Sequence, residues 1–178
     1  MKKSMFLFYF SITLAICSSA LYHFVAKSTP ANVNFPVSLL VTYTGSFSDV
    51  SLMAAAAETH IAAGADVLTG SSQSVVGAIG IAKDKKAFWF GTQWDQTALA
   101  PTIVVSSQVY DWTGILKDMI SSRKAGVLGN KAYTLTFKNK GLVIKYNPGV
   151  TVPAEAKAAA DAAILGITEG KIDPLKAK

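Results

Sequence analysis

Short β-rich runs alternate with helix-forming stretches along this chain, and each run ends in a polar loop. That alternation restricts the fold more than any other feature. Val37 to Tyr43 (VSLLVTY) reads as a buried strand, Asp66 to Thr69 as a second, Ala87 to Phe90 (AFWF) as a third and Ile103 to Ser107 (IVVSS) as a fourth. Val50 to Ala63, stopped by Gly64, Val75 to Lys85, and Trp112 to Lys124 read as helices. Strands and helices in this order predict βαβ units with right-handed crossovers, hence an α/β, Rossmann-like lobe built on a parallel sheet. Gly77 and Gly80 are expected to let the second helix pack closely on that sheet. Farther on, Ala132 to Phe137 and Leu142 to Tyr146 flank Lys138-Asn139-Lys140-Gly141 and predict a C-terminal β-hairpin. Pro153, at a first helical position, starts a last helix that runs to about Glu169.

The 178 residues are 51% hydrophobic and 16% charged, enough for one domain with a core and too apolar for a disordered chain. A single cysteine excludes a disulfide scaffold. After residue 26 no apolar run approaches the ~18 residues of a membrane span, which argues against a multi-pass protein. Residues 1–26 are different. Met1-Lys2-Lys3 gives a positive start, Met5 to Ile16 an apolar stretch, and Ser18-Ser19-Ala20 a set of small residues, the pattern of a signal peptide or membrane anchor. Cys17 follows Leu14-Ala15-Ile16 and looks like the lipidated residue of a lipoprotein box, with Ile16 where a small residue is usual. Lipid attachment, cleavage after Ala20 and an uncleaved anchor all place the rest of the chain outside the cytoplasm, held at the membrane or secreted. Residues 27–36 read as a linker with two prolines.

The formal charge of +6 suggests a nucleic-acid partner until its distribution is followed. The cations fall in short groups, among them Lys83, Lys85 and Lys86, Arg123 with Lys124, and Lys138, Lys140 and Lys145. They sit at expected helix ends and on the hairpin, where a solvated face or a helix dipole accounts for them. No nucleic-acid partner is expected, because no basic run carries interleaved aromatics.

In parallel sheets a ligand sits beyond the carboxyl ends of the strands. Those ends carry Thr44 to Asp49, Gly70 to Ser74, Gly91 to Gln96 and Ser106 to Tyr110. Phe47 can stack on a flat ring or staple the following helix; Asp49 reads as that helix's cap. Gly70-Ser71-Ser72-Gln73-Ser74 precedes a helix and offers backbone N–H groups, with no GxGxxG and no Walker lysine. Gln93, Trp94, Asp95 and Gln96 are the densest polar and aromatic cluster, in which Asp95 can accept from vicinal hydroxyls or cap its own loop. His60 reads as a surface or packing residue. No HExxH, CxxC or GxSxG is present, and no carboxylate spacing marks an acid–base pair, so neither an enzyme, a cofactor nor a metal is expected.

Several of these stretches resemble the basic membrane protein family, the PnrA-like substrate-binding lipoproteins of ABC importers. They are Val41-Thr42-Tyr43-Thr44-Gly45-Ser46-Phe47-Ser48-Asp49, Ala63 to Leu68, Gly91-Thr92-Gln93-Trp94-Asp95-Gln96, Ala98 to Pro101, Tyr133-Thr134-Leu135, Asn147-Pro148 and Glu169 to Ile172. The resemblance implies a type I periplasmic-binding-protein fold, of which residues 37–178 match the second lobe and the closing segment, without the first lobe. It implies a small polar ligand, nucleoside-like in part of the family, and an ABC permease as partner. By motif Phe47 would stack on a base, Ser72 and Gln73 would offer the turn's contacts, and Gln93, Trp94 and Asp95 would face a sugar. Gln93 stands where the family usually has aspartate, and Tyr110 lies near the place of a frequent lysine, which widens the ligand class to other small polar molecules. An interaction or sensory module derived from the same lobe is the alternative.

Overall fold

The computed structural model describes residues 40–174. The expected leader with Cys17, the linker and the first residues of the expected 37–43 strand lie outside the described residues. Helix α1 (Val50–Ala62) starts where the Asp49 carboxylate turns back on the chain, its Oδ1 accepting from the amides of Ser51 at 2.9 Å and Leu52 at 3.0 Å. These are two of the amides that a first helical turn leaves without carbonyl partners. Gly64, at φ +95°, ends the helix in the left-handed region that glycine enters without steric cost. Then follow β1 (Val67–Thr69), α2 (Val75–Asp84), β2 (Phe88–Gly91), a 3-10 turn (Thr97–Leu99), β3 (Val104–Tyr110), α3 (Thr113–Lys124), β4 (Leu142–Tyr146) and α4 (Ala154–Thr168).

Among the described residues the strands form one sheet in the order β1-β2-β3-β4, with β1 and β4 at its edges. β1 pairs with β2 and β2 with β3 in parallel, whereas β4 joins β3 antiparallel, from Ser106 opposite Tyr146 to Tyr110 opposite Leu142. The expected α/β lobe with a mainly parallel sheet is what the chain forms. β2 and β3 are covered on both faces. Trp89 and Val104 join a core with Ala57 of α1 and Val75, Ala78, Ile79 and Ala82 of α2. Phe90 and Val105 join a second core with Ala156, Ala160 and Ile164 of α4. Burial on both faces is why these strands read as unbroken apolar runs and not as alternating ones. The register shifts after Trp89, which pairs with Val104 while Phe90 pairs with Ser106, so Val105 is the extra residue of a bulge. Asn147 then pins the exit of β4. Its Nδ2 donates to the carbonyls of Pro101 and Val104, both at 2.7 Å, and its Oδ1 accepts from the amide of Gly149.

Three expectations are corrected. Residues 40–43 form no strand: Leu40, Val41 and Tyr43 are exposed, and Thr42 bonds through its hydroxyl to His60 of α1 at 2.9 Å. Ala132 to Phe137 is not a strand either, so β4 is not the second arm of a hairpin. The turn at 137–140 exists, but Asn139 occupies the backbone groups a ladder would use. Its Oδ1 accepts from the amides of Thr136 and Gly141, and its Nδ2 donates to the Thr134 carbonyl. Gly77 packs against the start of α1 instead of the sheet, and Gly80 faces open space. A smaller difference is that Pro153 stands one residue before the last helix, as its cap.

A Cβ built on Gly77 would lie 2.2 Å from the Val50 carbonyl oxygen. Gly77→Ala therefore should destabilise the protein by about 1–3 kcal/mol through overpacking. Gly80→Ala, with nothing within 4 Å, should be neutral or stabilising by up to ~1 kcal/mol from helix propensity. Urea unfolding of both variants separates the two effects. A second prediction concerns Tyr146, whose hydroxyl donates to Asp161 of α4 at 3.2 Å. Burial, together with the Asp161 charge and hydrogen bond, pushes its pKa from 10.0 to about 12. The folded state keeps this proton where the unfolded chain has lost it. The contribution is thus complete below pH 10 and falls away as pH rises towards 12. Stability measured across that window should fall less steeply in Tyr146→Phe than in the parent.

Candidate ligand-binding site

The carboxyl ends of β1, β2 and β3 carry three loops that the backbone ties to one another. After β1, Ser72 is buried and its hydroxyl donates to the Phe47 carbonyl at 2.7 Å. That proton being committed, Ser74 is the donor in the 2.8 Å contact between the two hydroxyls. Ser72 also accepts from the Ser74 amide at 3.1 Å. The serine turn thereby holds the 44–49 loop in place and leaves the Phe47 ring 77% exposed, available to a flat ligand. Gln73, between the two serines, is exposed.

After β2 the chain bends sharply. Gln93 sits at φ +73°, a region that costs a residue with a Cβ roughly 1 kcal/mol or more. It is held there from two sides: its Nε2 donates to Ser71 Oγ at 3.1 Å, and its carbonyl accepts from the Tyr110 amide at 3.0 Å. Thr92 adds a hydroxyl bond to the Gly70 carbonyl at 2.6 Å. The bend is thus held by partners at the carboxyl ends of both neighbouring strands.

Gln96, expected in the same cluster, is instead the loop's internal anchor. It is 1% exposed; its Oε1 accepts from Trp89 Nε1 at 2.7 Å, its Nε2 donates to the Thr92 carbonyl at 2.8 Å, and its amide donates to Ser107 Oγ at 3.1 Å. Gly91 makes room for it, since a Cβ there would lie 2.5 Å from Ser107 Oγ and 3.0 Å from the Gln96 side-chain oxygen. With the loop fixed, Trp94 stands half-exposed at its crest.

Asp95 accepts from the Thr97 amide at 3.1 Å, and its other oxygen lies 3.9 Å from Lys145 Nζ. Hydrogen bonds from Thr97 hold its carboxyl below the usual range, opposed by burial and helped slightly by Lys145. It is ionised at neutral pH, and one of its oxygens is already engaged in its own loop.

Phe47 and Ser72 thus meet at one flank, where a groove of about 440 Å³ opens between residues 42–47, α1 and β1. Gln93, Trp94, Asp95 and Tyr110 stand at the other flank, linked to the first through the Ser71–Gln93 bond. Residues not picked from the sequence also belong here. His60 and Thr42 line the groove, and Lys145 reaches Asp95 only because β4 runs antiparallel to β3 and sets Lys145 opposite Ser107. That register is a long-range fact with no local signal. Asp49 has no part in an acid pair, its carboxylate being the α1 cap. Among the described residues no group of three or more His, Cys, Asp and Glu side chains gathers as a metal site would need, and no helix is long and apolar enough to cross a membrane.

Residues 17–167 match the family described as ABC transporter substrate-binding protein PnrA-like. No curated protein matches the chain. Among solved structures it is similar to an ABC transporter solute-binding protein from Conexibacter woesei DSM 14684, at 22% identity and TM-score 0.61, with 76% of this chain and 46% of that one covered. It is also similar to an ABC transporter solute-binding protein from Aeropyrum pernix K1, at 19% identity and TM-score 0.64, covering 74% and 46%. A third is described as a transcriptional activator of the comK gene from Bacillus halodurans, at 20% identity and TM-score 0.62, covering 75% and 47%. The chain spans a little under half the length of each, and at these identities the likeness concerns the fold.

Gln96→Ala should strip Trp89 Nε1 and the Thr92 carbonyl of their partner inside the protein. A loss of about 2–4 kcal/mol in unfolding free energy is expected. An unchanged thermal midpoint would remove Gln96 from its anchoring role.

Proposed function

Because the chain belongs to the PnrA-like family of ABC transporter substrate-binding proteins, we propose that it serves as the extracytoplasmic substrate-binding component of an ABC importer. Its ligand is a nucleoside or another small polar molecule with a flat ring, and its protein partner is the importer's permease. The leader residues hold it at the membrane, by lipid on Cys17 or as an anchor, or release it by cleavage. It carries out no chemistry on what it binds.

The observation that carries this reading is the bonded row of strand-end loops. The exposed Phe47 ring stands at one end, Trp94 and Asp95 stand at the other, and the strained Gln93 lies between them. Stacking on Phe47 supplies affinity to any base, since every base has a π-face. Ser72, buried under the Phe47 carbonyl, positions that ring, and Gln73 and the neighbouring amides of its turn offer contacts to hydroxyls. The Asp95 oxygen that faces Lys145, Gln93 and the half-buried Tyr110 provide polar groups for a sugar or similar moiety. Fold alone does not choose this function, since the same fold occurs in proteins described as solute-binding and as a transcriptional activator. The family match and the polar, aromatic loop row together favour ligand capture.

Isothermal titration calorimetry of the chain with purine and pyrimidine nucleosides and free pentoses tests the proposal. Binding of a nucleoside is expected, with Phe47→Ala weakening it by about tenfold or more, the value of one base–aromatic stack. Asp95→Ala should weaken nucleosides but not free bases. Absence of heat with every nucleoside and sugar would instead favour the interaction or sensory module.

A further inference from the structure

Helix α3 is the one α-helix among the described residues in which no side chain is buried. Its residues Ile115, Asp118 and Ser122 are half-buried and mark the side turned to the protein. Its apolar stripe points elsewhere. Trp112, Leu116, Met119 and Ile120 recur at helical spacing along one face and are 46–56% exposed. Val127 and Leu128, just beyond the helix, are exposed as well. This much contiguous apolar side chain in water marks an interaction surface.

The charges around the stripe identify what it meets. Asp118, the helix's one acid, is neutralised by Lys131 and accepts from Tyr133 at 2.6 Å. Asp111 caps the helix through the Thr113 amide at 2.9 Å. Lys117, Arg123 and Lys124 are exposed and, among the described residues, take part in none of the ion pairs, which join Lys131, Lys145, Lys157 and Lys171 to acids. A tryptophan and bulky aliphatics on one face, with cations beside them, are the chemistry of a helix lying in a lipid headgroup layer. A second copy of this chain fits less well, because a symmetric contact brings the same cations of both copies together.

We infer that this face of α3 docks on an anionic lipid bilayer. The stripe enters the boundary between headgroups and acyl chains, and Lys117, Arg123 and Lys124 lie on lipid phosphates. The stripe starts at Trp112, just beyond the end of β3, and runs along α3 away from the strand-end loops.

The test uses the full chain in a Trp94→Phe background, where Trp112 is the one exposed tryptophan because Trp89 is 1% exposed. Residues 5–16 can hold the chain on vesicles by themselves, so the reading is the quenching of Trp112 by brominated acyl chains and not co-sedimentation. On brominated phosphatidylglycerol vesicles Trp112 should lose most of its emission, and on brominated phosphatidylcholine it should keep it. Replacing Arg123 and Lys124 with glutamine should raise the lipid needed for half-quenching by about 25-fold, roughly fivefold per cation. Leu116→Glu should abolish quenching with an unchanged far-ultraviolet circular dichroism spectrum. Unquenched Trp112 on both lipids, or equal quenching on both, would overturn the inference. So would a lipid-free dimer in sedimentation that Leu116→Glu dissolves, which would assign the stripe to a second copy.

Discussion

The buried side chain of Gln96 is the contact on which the carboxyl edge of the sheet depends. A single amide satisfies the Trp89 indole of β2 and the carbonyl of Thr92, while the backbone of the same residue engages Ser107 of β3. A polar group this deep is tolerable only when fully partnered, and once partnered it admits one arrangement of its surroundings. The loop from Gly91 to Gln96 consequently has no slack. Gln96 fixes the loop's far end, while Ser71 and Tyr110 hold the left-handed backbone of Gln93 and the Thr97 amide holds Asp95. Gly91 belongs to the same device, because any side chain there would collide with the hydroxyl and the amide it accommodates.

The sheet's construction explains why its two flanks differ in chemistry. Parallel pairing of β1, β2 and β3 brings three loops to one edge, and antiparallel β4 delivers Lys145 to the back of the middle loop. Asp95 is therefore shared between its loop and a cation from a distant part of the chain, whereas Phe47 is fixed only through its carbonyl and keeps a free ring. One flank is electrostatically restrained and the other is apolar and open. A ligand spanning both would meet a stacking surface first and a polar register second.

Much of the fold was legible in the chain because its signals are local. Asp49 before an alanine-rich run, Gly64 after it, and two apolar runs too continuous for a half-exposed sheet define α1, β2 and β3 without tertiary knowledge. The failures have physical causes. Val37 to Tyr43 has strand composition, yet at its described end Thr42 is engaged by His60 and not by the backbone of β1. Ala132 to Phe137 alternates like a strand, but Asn139 takes up its backbone groups and Tyr133 turns to Asp118. Within the site, Phe47 and the Gly91–Gln96 cluster were readable as strand-end residues. Lys145, and the division of labour between Gln96 and Gln93, depend on register and burial, which no window of sequence contains.

The two edges of the sheet have a consequence for life at high concentration. An unpaired strand edge is a template for another chain, and a self-propagating stack needs a segment of about six residues. β1 offers three, and the outer strand at the other side, β4, carries the exposed Lys145 in its short span. A lysine on an edge strand resists being stacked on its own copy. Among the described residues, the geometry that frames the candidate site thus also leaves little open backbone for edge-to-edge association.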